Sequence, residues 1–197
     1  ENDLGPNTGG MGTYSNTNHS LPFLNSQDIE MAFDIKQATN SALLKEFGEG
    51  YKGVLYGGFM ATKEGVKLIE YNARFGDPEA MNVLSILETD LLEICHGITK
   101  GTLDQIDVKF KNKATVCKYA VPEGYPENPM KGEIINVSKI KNMDSLHYAS
   151  VDIKNGNLIE AGSRTIAIIG IEDTIEKAEK IAEREISKIE GPLFHRK

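Results

Sequence analysis

Apolar residues recur at helical spacing in three stretches of the chain and alternate with polar residues in several shorter ones. From Asp28 to about Phe47 the positions Ile29, Phe33, Ala38, Ala42, Leu43 and Phe47 predict a helix, ended by Gly48 and Gly50. Gly53 to Met60 reads as a strand whose glycines allow close backbone approach. Lys63-Glu64-Gly65 is a turn, and Val66 to Arg74 returns as the second strand of a hairpin. A long periodic run follows through Val83, Leu84, Leu87, Leu91, Ile94, Cys95 and Ile98, predicting one helix that stops near Gly101. Its start carries start signals: Asp77 as cap, Pro78 in the first turn and Glu79 facing the dipole.

The pattern weakens from Thr102 to Asn112, which places a domain boundary there, with residues 1–104 on one side and 105–197 on the other. Beyond it, strands are expected at Ala114–Val121, Glu133–Val137, Leu146–Asp152 and Arg164–Ile169, and a closing amphipathic helix turns Ile175, Ala178, Ile181, Ala182 and Ile189 inward. Residues 5–18 are rich in Gly, Asn, Thr and Ser and read as loop.

Composition narrows the possibilities. The 197 residues support a real core in one or two domains. Hydrophobic content of 40% and charged content of 26% are those of a soluble globular protein. A formal net charge of -7 argues against a broad nucleic-acid surface, so any phosphate must be held by local donors. Cys95 and Cys117 form no Cys-x-x-Cys pair, and His19, His96, His147 and His195 lack zinc spacing. The two cysteines read as core filler in a reduced, cytoplasmic protein. No run is apolar enough to span a membrane. Both ends read as internal to a longer chain.

The chemistry concentrates in three places. In an extended strand Glu70, Asn72 and Arg74 project to one face while Ile69, Tyr71 and Ala73 project to the other, toward a core. A carboxylate and a carboxamide about 7 Å apart at Cα are hard oxygen ligands that suit Mg²⁺, and a guanidinium suits phosphate. A solvated polar sheet face is the alternative. Asp77, next along the chain, can cap a helix, hold a substrate ammonium group, or do both. Gly5-Pro6-Asn7-Thr8-Gly9-Gly10-Met11-Gly12 can present successive N–H groups to an anion, although it lacks the Lys-Ser/Thr ending of a Walker A loop. Arg164 can meet a phosphate, a carboxylate or a neighbouring acid.

These motifs taken together resemble the glycinamide ribonucleotide synthetase family of the ATP-grasp superfamily. The resemblance is carried by the Gly5–Gly12 loop, by Gly53-Val54-Leu55-Tyr56, and by Ile69-Glu70-Tyr71-Asn72-Ala73-Arg74-Phe75-Gly76-Asp77-Pro78-Glu79. Gly124-Tyr125-Pro126, the turn Gly162-Ser163-Arg164 (Gly-Gly-Arg is usual in the family) and Phe194-His195-Arg196-Lys197 agree with it. It covers the whole chain but only the later half of the family's length.

The resemblance implies an α+β fold: the C-terminal lobe of an ATP-grasp domain, an antiparallel sheet with helices, then a small mixed β/α C-terminal domain. It implies ATP as co-substrate, Mg²⁺ or Mn²⁺ held by Glu70 and Asn72, and Arg74 as the catalytic group on the γ-phosphate and acyl phosphate. Asn7, Thr8, Gly9, Gly10, Asp77 and Arg164 would place substrate. The expected partners are the small molecules ATP, glycine and 5-phosphoribosylamine, and the missing N-terminal half of the same enzyme. The 197 residues alone are expected to be inactive. Another ATP-grasp carboxylate ligase, or a binding module that kept the scaffold without the activity, remain as alternatives.

Overall fold

A computed structural model describes residues 5–197. In chain order the elements are β1 (Gly12–Ser15), α1 (Ser26–Phe47), β2 (Tyr56–Thr62), β3 (Gly65–Asn72), α2 (Glu79–Ser85), α3 (Leu91–Lys100), β4 (Ala114–Pro122), β5 (Leu146–Tyr148), β6 (Val151–Lys154), β7 (Asn157–Glu160), β8 (Ile166–Glu172), α4 (Ile175–Ile186) and β9 (Leu193–Phe194). Two short 3₁₀ turns lie at Leu103–Gln105 and Met143–Ser145. The chain folds into two compact units that interleave in sequence. One comprises residues 5–19, 77–85 and 112–197; the other comprises 20–76 and 86–111. A single division between residues 104 and 105 does not coincide with these packing units.

The larger unit is built on an antiparallel sheet of order β1-β4-β8-β5, with β9 also pairing with β4. β4 is buried along its whole length, as expected of a central strand covered on both sides. Its alternate residues serve two different cores. Val116 and Ala120 join Ile166, Ile168, Ala178, Ala182 and Ile186 beneath α4. Cys117, Tyr119 and Val121 join Met11, Ala167 and Ile169 on the opposite face. α4 lies close to the sheet because Gly170 lacks a side chain; a Cβ there would stand 2.0 Å from the Ala178 carbonyl oxygen.

The smaller unit places α1 beside the β2–β3 hairpin. Asn25 and Asp28 form a reciprocal capping box, at 3.0 and 3.1 Å, which satisfies orphan donors at the start of α1. The Thr39 hydroxyl on α1 lies 3.2 Å from the Tyr71 hydroxyl on β3. No α1 residue is fully buried, and Phe33 and Phe47 are exposed. No helix among the described residues is long and apolar enough to cross a membrane.

Several expectations from the sequence are corrected. The glycine-rich start is not all loop: β1 pairs with β4 from Gly12↔Lys118 to Ser15↔Thr115. The long run after Pro78 is two helices, because residues 86–89 are drawn into extended pairing with 109–111. Lys111 N–H donates to the Ile86 carbonyl (2.8 Å) and Glu88 N–H to the Lys109 carbonyl (2.9 Å). Asp90 then caps α3 anew through Leu92 N–H at 2.7 Å. Residues 133–137 make no strand, since Ile135 bonds to Leu158 while Asn136 bonds to Glu190, and changing partners prevents a ladder. The stretch 146–152 divides into β5 and β6, which belong to different sheets. Cys95 is exposed, unlike the buried Cys117.

Candidate active site

β3 carries the first group of candidate residues. It ends at Asn72, so Arg74 lies in the bend beyond rather than on the strand. Glu70 and Asn72 do share a face: Asn72 Nδ2 donates to Glu70 Oε1 at 3.0 Å. Across the ladder Glu70 faces Gly58, which has no side chain to cover the carboxylate. The pairing slips between Gly58 and Phe59, leaving Ile69 as an extra residue without a partner. Ile69 is therefore 62% exposed, not directed into a core. Arg74 Nη1 donates to the Phe75 carbonyl at 2.6 Å, using one of the five donors of the guanidinium fork.

The Glu70–Asn72 pair fits a small hard cation. The 3.0 Å contact shows that both side chains reach one point. Bringing the Asn72 carboxamide oxygen to that point needs only a half-turn of the amide, whose N and O ends are assigned from its bonding partners. No group of three or more His, Cys, Asp or Glu gathers for a metal among the described residues. Mg²⁺ beside nucleotide phosphates takes one or two protein ligands and fills the rest of its shell with phosphate oxygens and water, a role for which a pair of this kind is suited.

The second group lies wholly in the larger unit. Arg164 Nη2 donates to Asp77 Oδ2 at 2.7 Å, and its Nη1 donates to the Asp77 carbonyl at 2.8 Å and the Gly10 carbonyl at 3.0 Å. Tyr119 Oη donates to Asp77 Oδ1 at 2.9 Å, and the Arg164 guanidinium lies 5.1 Å from the centre of the Tyr119 ring. Both carboxylate oxygens of Asp77 thus accept from residues outside α2. Gly9 N–H donates to Tyr125 Oη at 3.2 Å. The loop glycines are needed for close packing. A Cβ on Gly9 would come within 3.0 Å of Arg164 Nε, and one on Gly10 within 2.7 Å of Pro78 Cδ.

Of the residues assigned to substrate from sequence, the fold gathers Gly9, Gly10, Asp77 and Arg164 at this point. Thr8 lines two clefts, of 590 and 480 Å³, that flank the loop. Asn7 is exposed on the same loop. Arg164 meets an acid, one of the readings left open above, and that acid is Asp77.

Sequence reasoning missed Tyr119, Tyr125 and a charged cluster under α4. Lys118, on the α4 side of β4, bonds Glu179 at 2.7 Å and Glu183 at 2.6 Å. Glu183 also lies 3.1 Å from His195 Nε2. Burial disfavours the Lys118 ammonium, but its bonds to Glu179 and Glu183 outweigh that and raise its pKa. The Lys118 bond, with a smaller contribution from His195, pulls the Glu183 carboxyl down to about 2. Burial pushes the Cys117 thiol up to about 12. A lysine inside a nine-residue run that is otherwise fit for a buried strand is the signal that could have pointed to the cluster.

Comparison with known proteins defines the class. A solved phosphoribosylamine–glycine ligase from Thermotoga maritima superposes with a TM-score of 0.81 at 28% identity, covering 98% of this chain and 47% of that one. The biotin carboxylase domain of a single-chain bacterial carboxylase shares the fold, with a TM-score of 0.55 at 14% identity. The fold is α+β: the C-terminal lobe of an ATP-grasp domain with a small mixed β/α domain after it. The family model described as phosphoribosylglycinamide synthetase, ATP-grasp (A) domain, matches residues 1–80, and that described as the C domain matches residues 115–197. The chain belongs to the phosphoribosylglycinamide synthetase family. It is 56% identical to the phosphoribosylamine–glycine ligase of Methanocaldococcus jannaschii and 53% identical to that of Methanosarcina barkeri. It spans about 45% of the length of each of these relatives.

Proposed function

We propose that this chain is the later part of an ATP-dependent carboxylate–amine ligase of the cytoplasm that joins glycine to 5-phosphoribosylamine. The products are glycinamide ribonucleotide, ADP and phosphate, a step in de novo purine synthesis. The observation that carries the reading is the 3.0 Å pairing of Glu70 with Asn72 on an open strand face, in a chain of this family.

In this reading a glycine carboxylate oxygen attacks the γ-phosphorus of ATP, ADP leaves, and glycyl phosphate forms. The phosphoribosylamine nitrogen then attacks the glycyl carbonyl carbon, the C–O bond to phosphate breaks, and the amine loses its proton. Such chemistry rests on positioning and charge stabilisation more than on covalent help from the protein. Glu70 and Asn72 would hold Mg²⁺ or Mn²⁺, which neutralises phosphate charge when bound. Arg74 offers its remaining donors to the γ-phosphate and to the acyl phosphate. Asp77 accepts from substrate amine or hydroxyl groups. Arg164 fixes Asp77 and the loop at Gly10, while Thr8 and Asn7 border the clefts beside it.

The test is ADP release by the full-length enzyme with each substrate withheld in turn. Release that needs both glycine and phosphoribosylamine supports the reading. Release with a different carboxylate, or none under any condition, replaces it with another ATP-grasp ligase or with a non-catalytic module.

A further inference from the structure

We infer that Tyr119 is a positioning residue that sets the Asp77–Arg164 pair for the amine substrate, an inference that rests on the ligase reading above. Tyr119 is 3% exposed and sits mid-strand on β4, on the face that carries Cys117 and Val121. It touches both members of the pair in different ways. Its hydroxyl donates to Asp77 Oδ1 at 2.9 Å, and its ring face lies 5.1 Å from the Arg164 guanidinium.

The consequence is geometric. Asp77 Oδ1 is held by Tyr119 and Oδ2 by Arg164, at 2.9 and 2.7 Å. The carboxylate cannot rotate about its Cβ–Cγ bond without losing one of these bonds. Its side chain is nevertheless 46% exposed, so the acid is open to a ligand while its two holders are largely covered. A carboxylate oxygen that accepts one bond keeps room for another. The pair is therefore a fixed acceptor for N–H and O–H donors, the groups that an amino sugar presents. The ring lies within cation–π distance of the guanidinium, whose Nη1 donates to the Asp77 and Gly10 carbonyls. One aromatic side chain so meets the acid through its hydroxyl and the base through its face. Burial, then the Asp77 carboxylate, raise the phenol's pKa above its ordinary value, and the hydroxyl stays a donor at working pH.

Tyr119→Phe separates this role from core filling, because it keeps the ring volume and the contact with Arg164 and removes only the hydroxyl. The experiment is steady-state kinetics of the full-length enzyme, varying ATP, glycine and phosphoribosylamine separately. The KM for phosphoribosylamine is expected to rise about tenfold, the scale of one hydrogen bond to a charged group. The kcat and the KM for ATP are expected to stay within about twofold of the wild type. In an Asp77→Asn background the same substitution is expected to add less than it does alone, since a neutral carboxamide oxygen is a weaker acceptor for the Tyr119 hydroxyl. An unchanged KM for phosphoribosylamine overturns the inference, and so does an effect that adds fully to Asp77→Asn. A Tyr119→Phe protein that fails to fold assigns the hydroxyl to the core and also overturns it. Wild-type enzyme that does not need phosphoribosylamine fails at the earlier step and removes the ligase reading itself.

Discussion

Arg164 donates to both the side-chain carboxylate and the main-chain carbonyl of Asp77, at 2.7 and 2.8 Å, across 87 positions of sequence. A third bond from the same guanidinium reaches the Gly10 carbonyl at 3.0 Å. One side chain thus ties the glycine-rich loop to the start of α2.

Arg164→Lys keeps the positive charge but loses the fork, and a compact ammonium cannot serve three acceptors in that plane. Stability is expected to fall by about 1–3 kcal/mol, and the KM for phosphoribosylamine to rise at least about tenfold. Chemical denaturation and steady-state kinetics check the two parts separately. An unaltered unfolding midpoint would remove Arg164 as the tie.

Gly10→Ala puts a methyl group 2.7 Å from Pro78 Cδ, a distance that requires movement of the ring or the loop. A loss of about 1–3 kcal/mol is expected, measured by thermal or denaturant unfolding. Gly132→Ala meets nothing within 4 Å but has a φ of +84°, so its strain is local to the backbone. Phosphoribosylamine affinity is expected to suffer in the first variant and to persist in the second.

Glu70→Gln removes the charged oxygen from the open face of β3. Glu70 is exposed, so the melting temperature is expected to hold while the divalent-ion requirement rises and turnover falls by at least about tenfold. Turnover equal to wild type at limiting Mg²⁺ would exclude Glu70 as a ligand.

The Lys118–Glu183–His195 cluster predicts a pH dependence of stability. Glu183 titrates at about 2 in the folded protein against a reference of 4.5. Its folded pKa is depressed, so its contribution is fully present above about 4.5 and is lost as pH falls toward 2. Lys118 is raised above 10.5, so its contribution is present below that value and is lost in strong alkali. Denaturant midpoints from pH 6 to pH 2 are expected to fall more steeply for the wild type than for Glu183→Gln, and equal slopes would deny the cluster this role.

How much of this was legible beforehand depended on whether the signal was local. The body of α1, the β2–β3 hairpin and α4 are written in short-range periodicity and turn residues, and the structure has them within a few positions of the expectation. The shared face of Glu70 and Asn72 follows from strand alternation alone, and the 3.0 Å contact agrees. Ile69 escaped because a bulge depends on the partner strand, where Gly58 and Phe59 slip against it. The helix after Pro78 divides because residues near 110 capture its middle, a competition that apolar spacing cannot show. β1 was hidden by its glycine-rich composition, since its strand character comes from β4 lying beside it. Tyr119 meets Asp77 only through the fold, its hydroxyl and the carboxylate standing 42 positions apart in sequence.

β4 has consequences for any redesign of this scaffold. Inserting or deleting one residue between Ala114 and Cys117 would exchange the faces of the residues that follow, driving the Lys118 ammonium toward Met11 and the phenol of its neighbour under α4. The length of that strand is therefore a fixed quantity, and new sequence belongs in the β6–β7 turn at Asn155.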